Sequence, residues 1–157
     1  MIETLRLRLE PLTMPAAQAI VARRREGRPW HEEFPTGDDQ DAAAMVAELG
    51  ETRFGCRVIV EKHSGLVVGT IGFTGPPDGT GTVTVGYGLV PSARGRGYAT
   101  EALCDLVAYA FTQPSVRAVT ADSLHDNVAS HRVLEKAGFS RTHATEDTVW
   151  FAIRNDH

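Results

Sequence analysis

Residues 87–102, Tyr-Gly-Leu-Val-Pro-Ser-Ala-Arg-Gly-Arg-Gly-Tyr-Ala-Thr-Glu-Ala, constrain this chain more than any other stretch. A strand-like alternation of apolar residues runs into a short loop of Arg and Gly, and that loop opens directly into an amphipathic helix. Such a junction aims several unpaired backbone N–H groups at one spot, and the positive end of the helix dipole reinforces them. Arg94 and Arg96 add guanidinium groups suited to phosphate oxygens. A purely structural turn would account for the glycines through positive φ, but it does not call for two arginines among them. The stretch therefore reads as a seat for a phosphate or pyrophosphate.

Three ligand loops compete for it. A Walker-type loop needs Gly-Lys-Ser/Thr at its end, and no Lys follows Gly97. A dinucleotide fingerprint needs a third Gly, where this chain has Thr100. The third pattern is Arg-x-x-Gly-x-Ala, and Arg94-Gly95-Arg96-Gly97-Tyr98-Ala99 fits it. In this it resembles the pyrophosphate loop of the GNAT superfamily of acyl-CoA-dependent N-acyltransferases. A second segment, Asn127 to Phe139, resembles the helix and strand start that complete that family's cofactor site. Order and spacing of the two segments are similar to the family's, closest to the branch that includes the ribosomal-protein N-terminal acetyltransferases.

The remaining chain is read by periodicity. Leu5 to Leu9 alternates as a first strand, and Thr13 caps a helix expected to run to about Arg25. Asp38 is expected to cap a second helix, whose Ala42, Met45, Val46 and Leu49 fall at i, i+3, i+4 and i+7. Strands follow at about 54–61, 66–74 and 82–90, joined by turns too short for anything but antiparallel neighbours. The helix after the loop stops at Pro114. Val116 to Ala121 is a strand, 127–137 a helix closed by Gly138, and 139–143 with 148–154 a hairpin. The order β–α–α–β–β–β–α–β–α–β–β is similar to the GNAT fold. The expectation is an α+β domain over 1–157, with a mixed, mostly antiparallel seven-stranded sheet and about four helices. Its fourth and fifth strands should be parallel and splayed.

Composition narrows the partners. Net charge is −4, which disfavours nucleic acid and anionic membranes as partners. No apolar run is long enough to span a bilayer, and the start of the chain lacks a signal peptide's apolar block. Cys56 and Cys104 have no motif spacing and read as thiols in a reducing cytoplasm. The histidines show no ligand spacing, so no metal is expected. Monomer and homodimer both stay open.

The resemblance carries further expectations. It implies acetyl-CoA as co-substrate, with the pantetheine arm bonded to backbone at Leu89 and Val90. It puts the pyrophosphate on N–H groups from Arg94 through Gly95, Arg96, Gly97, Tyr98 and Ala99 to Thr100. Asn127 and Ser130 would face the pantetheine and thioester, although Asn127 also suits a helix N-cap. The implied reaction is direct attack of a primary amine on the thioester, the acceptor being a small molecule or a peptide N-terminus. Two departures stand out. Many members carry a Tyr acid seven residues after the Asn, where this chain has Leu134. Many members of this branch carry a Glu on the fourth strand, where this chain has Thr84. Ser130 is the substitute proton donor, and His31, Glu32 or Glu33 in the irregular segment 27–37 are candidate bases, with Asp122 and His125 behind them. Without a strong base, an amine with pKa near about 8 is an easier acceptor than one near about 10.4. A non-catalytic acetyl-CoA sensor is the alternative, favoured by both departures; a nucleotide-binding protein of other chemistry is a distant third.

Overall fold

The computed structural model describes residues 1–155. Apolar residues alternate along β2 (Leu7–Pro11), β5 (Thr82–Leu89) and β8 (Thr148–Arg154), and continuous buried runs give β3 (Cys56–Glu61) and β4 (Val67–Phe73); β6 (Ala118–Leu124), the exposed β7 (Ser140–Ala144) and a short β1 (Ile2–Glu3) complete the strands. The helices are α1 (Met14–Val21), α2 (Gly37–Leu49), α3 (Tyr98–Phe111) and α4 (Val128–Lys136). All strands join one eight-stranded sheet in the order β1-β2-β3-β4-β5-β6-β8-β7. The mixed α+β architecture and the parallel pairing of β5 with β6 match expectation. The sheet has eight strands rather than seven because Ile2 and Glu3 pair with Leu9 and Arg8.

Several boundaries move for local reasons. Leu5 is 86% exposed and lies outside the first long strand, which starts at Leu7. Helix α1 ends at Val21 instead of near Arg25, and Arg23 takes a positive φ of 55°. Thr36, not Asp38, caps α2: its hydroxyl accepts from the Asp39 N–H while the Asp39 carboxylate accepts from the Thr36 N–H. This is a reciprocal capping box, and Asp39, Ala43 and Val46 of the helix face inward. Asp39 is fully buried, and its Oδ1 accepts from the Thr70 hydroxyl at 2.7 Å, which pins α2 to β4. Met45 and Leu49 consequently stay exposed instead of entering the core.

The core packs α3 against the sheet through Leu103, Leu106 and Ala110, all with no exposed surface. Parallel pairing of β5 and β6 covers only Thr82–Ala118, Val83–Val119 and Thr84–Thr120. The hydroxyls of Thr84 and Thr120 lie 2.9 Å apart at its last rung. Past that rung the two strands separate, while β5 keeps its antiparallel pairing with β4 through Leu89.

Candidate active site

Three features meet where β5 and β6 part. The first is the loop into α3. Arg94 gives its N–H to Pro91 O, closing a single 3-10 turn. Gly95 and Gly97 then take positive φ of 76° and 81°, turning the chain into the helix. Gly97 is the N-cap and has no side chain to cap with. Among the described residues, no protein acceptor meets the N–H groups of residues 95 to 100. Six consecutive donors thus converge at the positive end of a helix of fourteen residues.

Side chains hold this loop in shape. Arg6 donates Nη1 to Arg96 O at 2.9 Å, pairs with Glu101 at 2.7 Å and lies 4.6 Å over the Tyr98 ring. Tyr98 donates its hydroxyl to Glu61 at 2.7 Å, and Arg96 reaches the same carboxylate at 3.4 Å. Arg94 folds back to give Nε to Leu89 O at 3.1 Å. Both loop arginines therefore spend part of their donor set on the protein, Arg94 through Nε alone.

The second feature is the open edge of β5. Thr84 O accepts from Thr74 and Val90 N donates to Val68, so even-numbered residues bond towards β4. By strand alternation, Val85, Tyr87 and Leu89 turn their N–H and C=O groups to the side that β6 has left. Of the two expected positions, Leu89 turns its backbone to the open side, where its C=O already accepts from Arg94 Nε, and the Val90 N–H donates the other way, to Val68 O. On the same side, Asn127 Oδ1 accepts from Ser130 N at 3.2 Å as the N-cap of α4. Ser130 Oγ lies 2.9 Å from the Tyr87 hydroxyl, and burial pushes the Tyr87 phenol above its usual range. Leu134, at the family's Tyr position, is fully buried in the core.

The third feature is an apolar groove of about 540 Å³ between α2 and the sheet. Ala42, Met45 and Leu49 form its helix wall, and Gly72, Gly86 and Gly88 form its floor. The outward stripe of α2 therefore faces a cavity, because glycines supply the floor where side chains would otherwise fill it. Phe54 and Phe73, edge to face at 5.7 Å, and Gly86 to Gly88 of β5 also line it.

The candidate bases sit elsewhere. Glu33 accepts from both the N–H and the hydroxyl of Ser92, each at 2.9 Å, and the backbone bond leads in holding its carboxyl below the usual range. His31 Nδ1 accepts from Glu33 N at 3.0 Å, and His31 N donates to Val67 O. Residues 31–33 thus brace the start of the phosphate loop. Asp122 and His125 lie in and just after β6. Among the described residues, no cluster of His, Cys, Asp or Glu is placed to hold a metal ion, and no helix is long and apolar enough to cross a membrane. Sequence reasoning missed Tyr87, Arg6 and Glu61. Strand alternation carried a signal for Tyr87, which shares a face with Val83 and Val85; the other two had none.

The sequence matches the Acetyltransferase (GNAT) domain family over residues 6–140. The uncharacterized N-acetyltransferase YjdG of Bacillus subtilis is 31% identical, over 94% of each chain. A GNAT-family acetyltransferase from Bacillus anthracis superposes with a TM-score of 0.74 at 20% identity, covering 98% of this chain and 97% of that one. Mycobacterium smegmatis RimJ, solved with a CoA disulfide, gives 0.69 at 22% identity, covering 98% and 86%. The chain belongs to the GNAT acetyltransferase family. It is an acetyl-CoA-dependent acyltransferase, and the sensor and other-nucleotide alternatives fall away.

Proposed function

We propose that this enzyme transfers the acetyl group of acetyl-CoA to a primary amine by direct attack within a ternary complex, in a reducing cytoplasm that keeps Cys56 and Cys104 as thiols. The observation that carries this reading is the row of six unaccepted N–H groups at residues 95–100 beside the unpaired edge of β5. Acetyl-CoA brings an activated acyl group and a thiolate that leaves readily. The diphosphate accepts from the loop amides and the Arg94 Nη groups, and the pantetheine arm lies along Tyr87 and Leu89. Asn127 holds the first turn of α4, and so the position of Ser130. The amine nitrogen bonds the thioester carbonyl carbon and the C–S bond breaks. The carbonyl oxygen gains charge against an N–H of the β5 edge, a contact that can be worth about 3 kcal/mol. Ser130 Oγ gives its proton to the departing sulfur and Tyr87, kept neutral by burial, resupplies the serine; the proton shed by the amine nitrogen passes to water, which returns one to Tyr87.

Direct attack also suits the cysteines. Burial pushes the Cys56 thiol up to about 12, far from a nucleophile's range, and Cys104 lies on α3 outside the groove.

The test is a thermal shift followed by turnover. Acetyl-CoA at a hundred times its Kd should add about 2.7 kcal/mol, a shift of several degrees. NAD or ATP shifting the melt in its place, or no amine-dependent thiol release across a broad panel, would refute the reading.

A further inference from the structure

The groove between α2 and the sheet is more selective than a general amine site. Its helix wall exposes Met45 and Leu49, 41% and 68% accessible, which is costly for a surface that water alone covers. Its floor is glycine, and the position a Cβ would take at Gly86 has nothing within 4 Å. The charged residues lining it are Asp38 and Asp41, both exposed and neither in an ion pair among the described residues. Among the described residues, no Lys, Arg or His lines this cavity. Asp38 stands at the reactive end: a Cβ on Gly88 would lie 4.0 Å from the Asp38 Cβ.

Charge and shape together specify an occupant. Two carboxylates attract an ammonium group and repel a carboxylate or phosphate on the same molecule. The apolar walls reward a hydrocarbon body and penalise a polar one that finds no partner. A volume of about 540 Å³ matches a small molecule. We propose that the acceptor is a small primary amine carrying an apolar body and no acidic group, drawn in by Asp38 and Asp41 and seated between Met45, Leu49 and the glycine floor. The inference rests on the transfer reading above. It adds that Asp38 and Asp41 are specificity residues, acting on capture of the protonated amine before it loses its proton.

The full chain, saturated with acetyl-CoA, is assayed for thiol release with 2-phenylethylamine, phenylalanine, ethanolamine and a leucine-initiated tripeptide amide. In parallel, binding of each amine is measured by calorimetry in the presence of coenzyme A. The expected result is kcat/KM at least tenfold higher for 2-phenylethylamine than for the other three, with the same order in binding. Gly86→Val should fill the groove and raise KM for 2-phenylethylamine about tenfold without changing acetyl-CoA affinity. Asp38→Asn combined with Asp41→Asn should narrow the gap between 2-phenylethylamine and phenylalanine at least fivefold. If ethanolamine or phenylalanine is acetylated as well as 2-phenylethylamine, transfer stands and this inference falls. Tenfold preference for the peptide likewise overturns it in favour of a chain terminus. Selective binding of 2-phenylethylamine without acetylation supports the groove and refutes transfer; neither binding nor turnover refutes both.

Discussion

The Tyr87 and Ser130 hydroxyls lie 2.9 Å apart, joining strand β5 to helix α4 across the place where the sheet opens. If the pair supplies the proton for the leaving sulfur, Ser130→Ala and Tyr87→Phe should each lower kcat by about tenfold or more. Acetyl-CoA affinity should change less in both. The double variant should lose little beyond the worse single one, because both act on one proton. An unchanged kcat in Ser130→Ala would remove the pair from the mechanism.

The phosphate loop gives a separable pair of effects. Gly97 has φ of 81°, and a Cβ there would meet Arg6 Nη2 at 3.3 Å. Gly97→Ala should cost about 1–2 kcal/mol of stability in a urea melt and weaken acetyl-CoA binding. Arg94→Ala should weaken binding by a similar factor while moving the melt little, since its Nη groups serve the ligand. Calorimetric affinity equal to the parent enzyme for Arg94→Ala would count against its place at the diphosphate.

Glu33 braces Ser92 through two hydrogen bonds. Glu33→Gln should therefore raise KM for acetyl-CoA a few-fold and leave the acid limb of the pH–kcat profile in place. Disappearance of that limb would make Glu33 the base instead.

The buried Asp39 carboxyl has a pH signature. Burial leads in raising its pKa above the ordinary 3.8, against bonds from Thr36 and Thr70. The folded state thus holds the proton to higher pH than the unfolded chain. Its contribution to stability is complete below 3.8 and is lost as pH rises through the raised folded value. Asp39→Asn does not titrate there, so its melting point relative to the parent should climb as pH is raised above 3.8 and level off once the raised folded value is passed. A difference flat across that range would contradict the burial argument.

The two thiols should differ in chemistry. At pH 8 a thiol at about 12 is ionised about once in ten thousand molecules, whereas Cys104 is exposed. Iodoacetamide should modify Cys104 first, read by intact mass, and Cys104→Ser should leave a chain nearly inert to the reagent.

Much of the cofactor side was legible in the sequence because it is written in local chemistry. Glycines with positive φ and a helix start need particular residues in a row, so residues 94–100 announced the loop. The splay between strands was legible only through family likeness, since nothing local marks Thr84 as the last paired rung. The outer face of α2 was less legible. Ala42, Met45, Val46 and Leu49 have the spacing of a core stripe; Val46 enters the core while Met45 and Leu49 do not, and periodicity cannot tell a face that meets protein from one that meets a cavity. What seats the helix is the buried bond from Thr70 to Asp39, which puts the Asp39, Ala43 and Val46 face on the sheet. Arg6 and Glu61 were invisible because their partners are distant in the chain.

The three-rung junction of β5 and β6 has a mechanical consequence. It leaves the sheet as two leaves on a short spine, and a co-substrate threaded into the opening would act as a rivet between them. Amides of β6 beyond Thr120 should then exchange more slowly once coenzyme A is bound, although they contact no part of the phosphate loop.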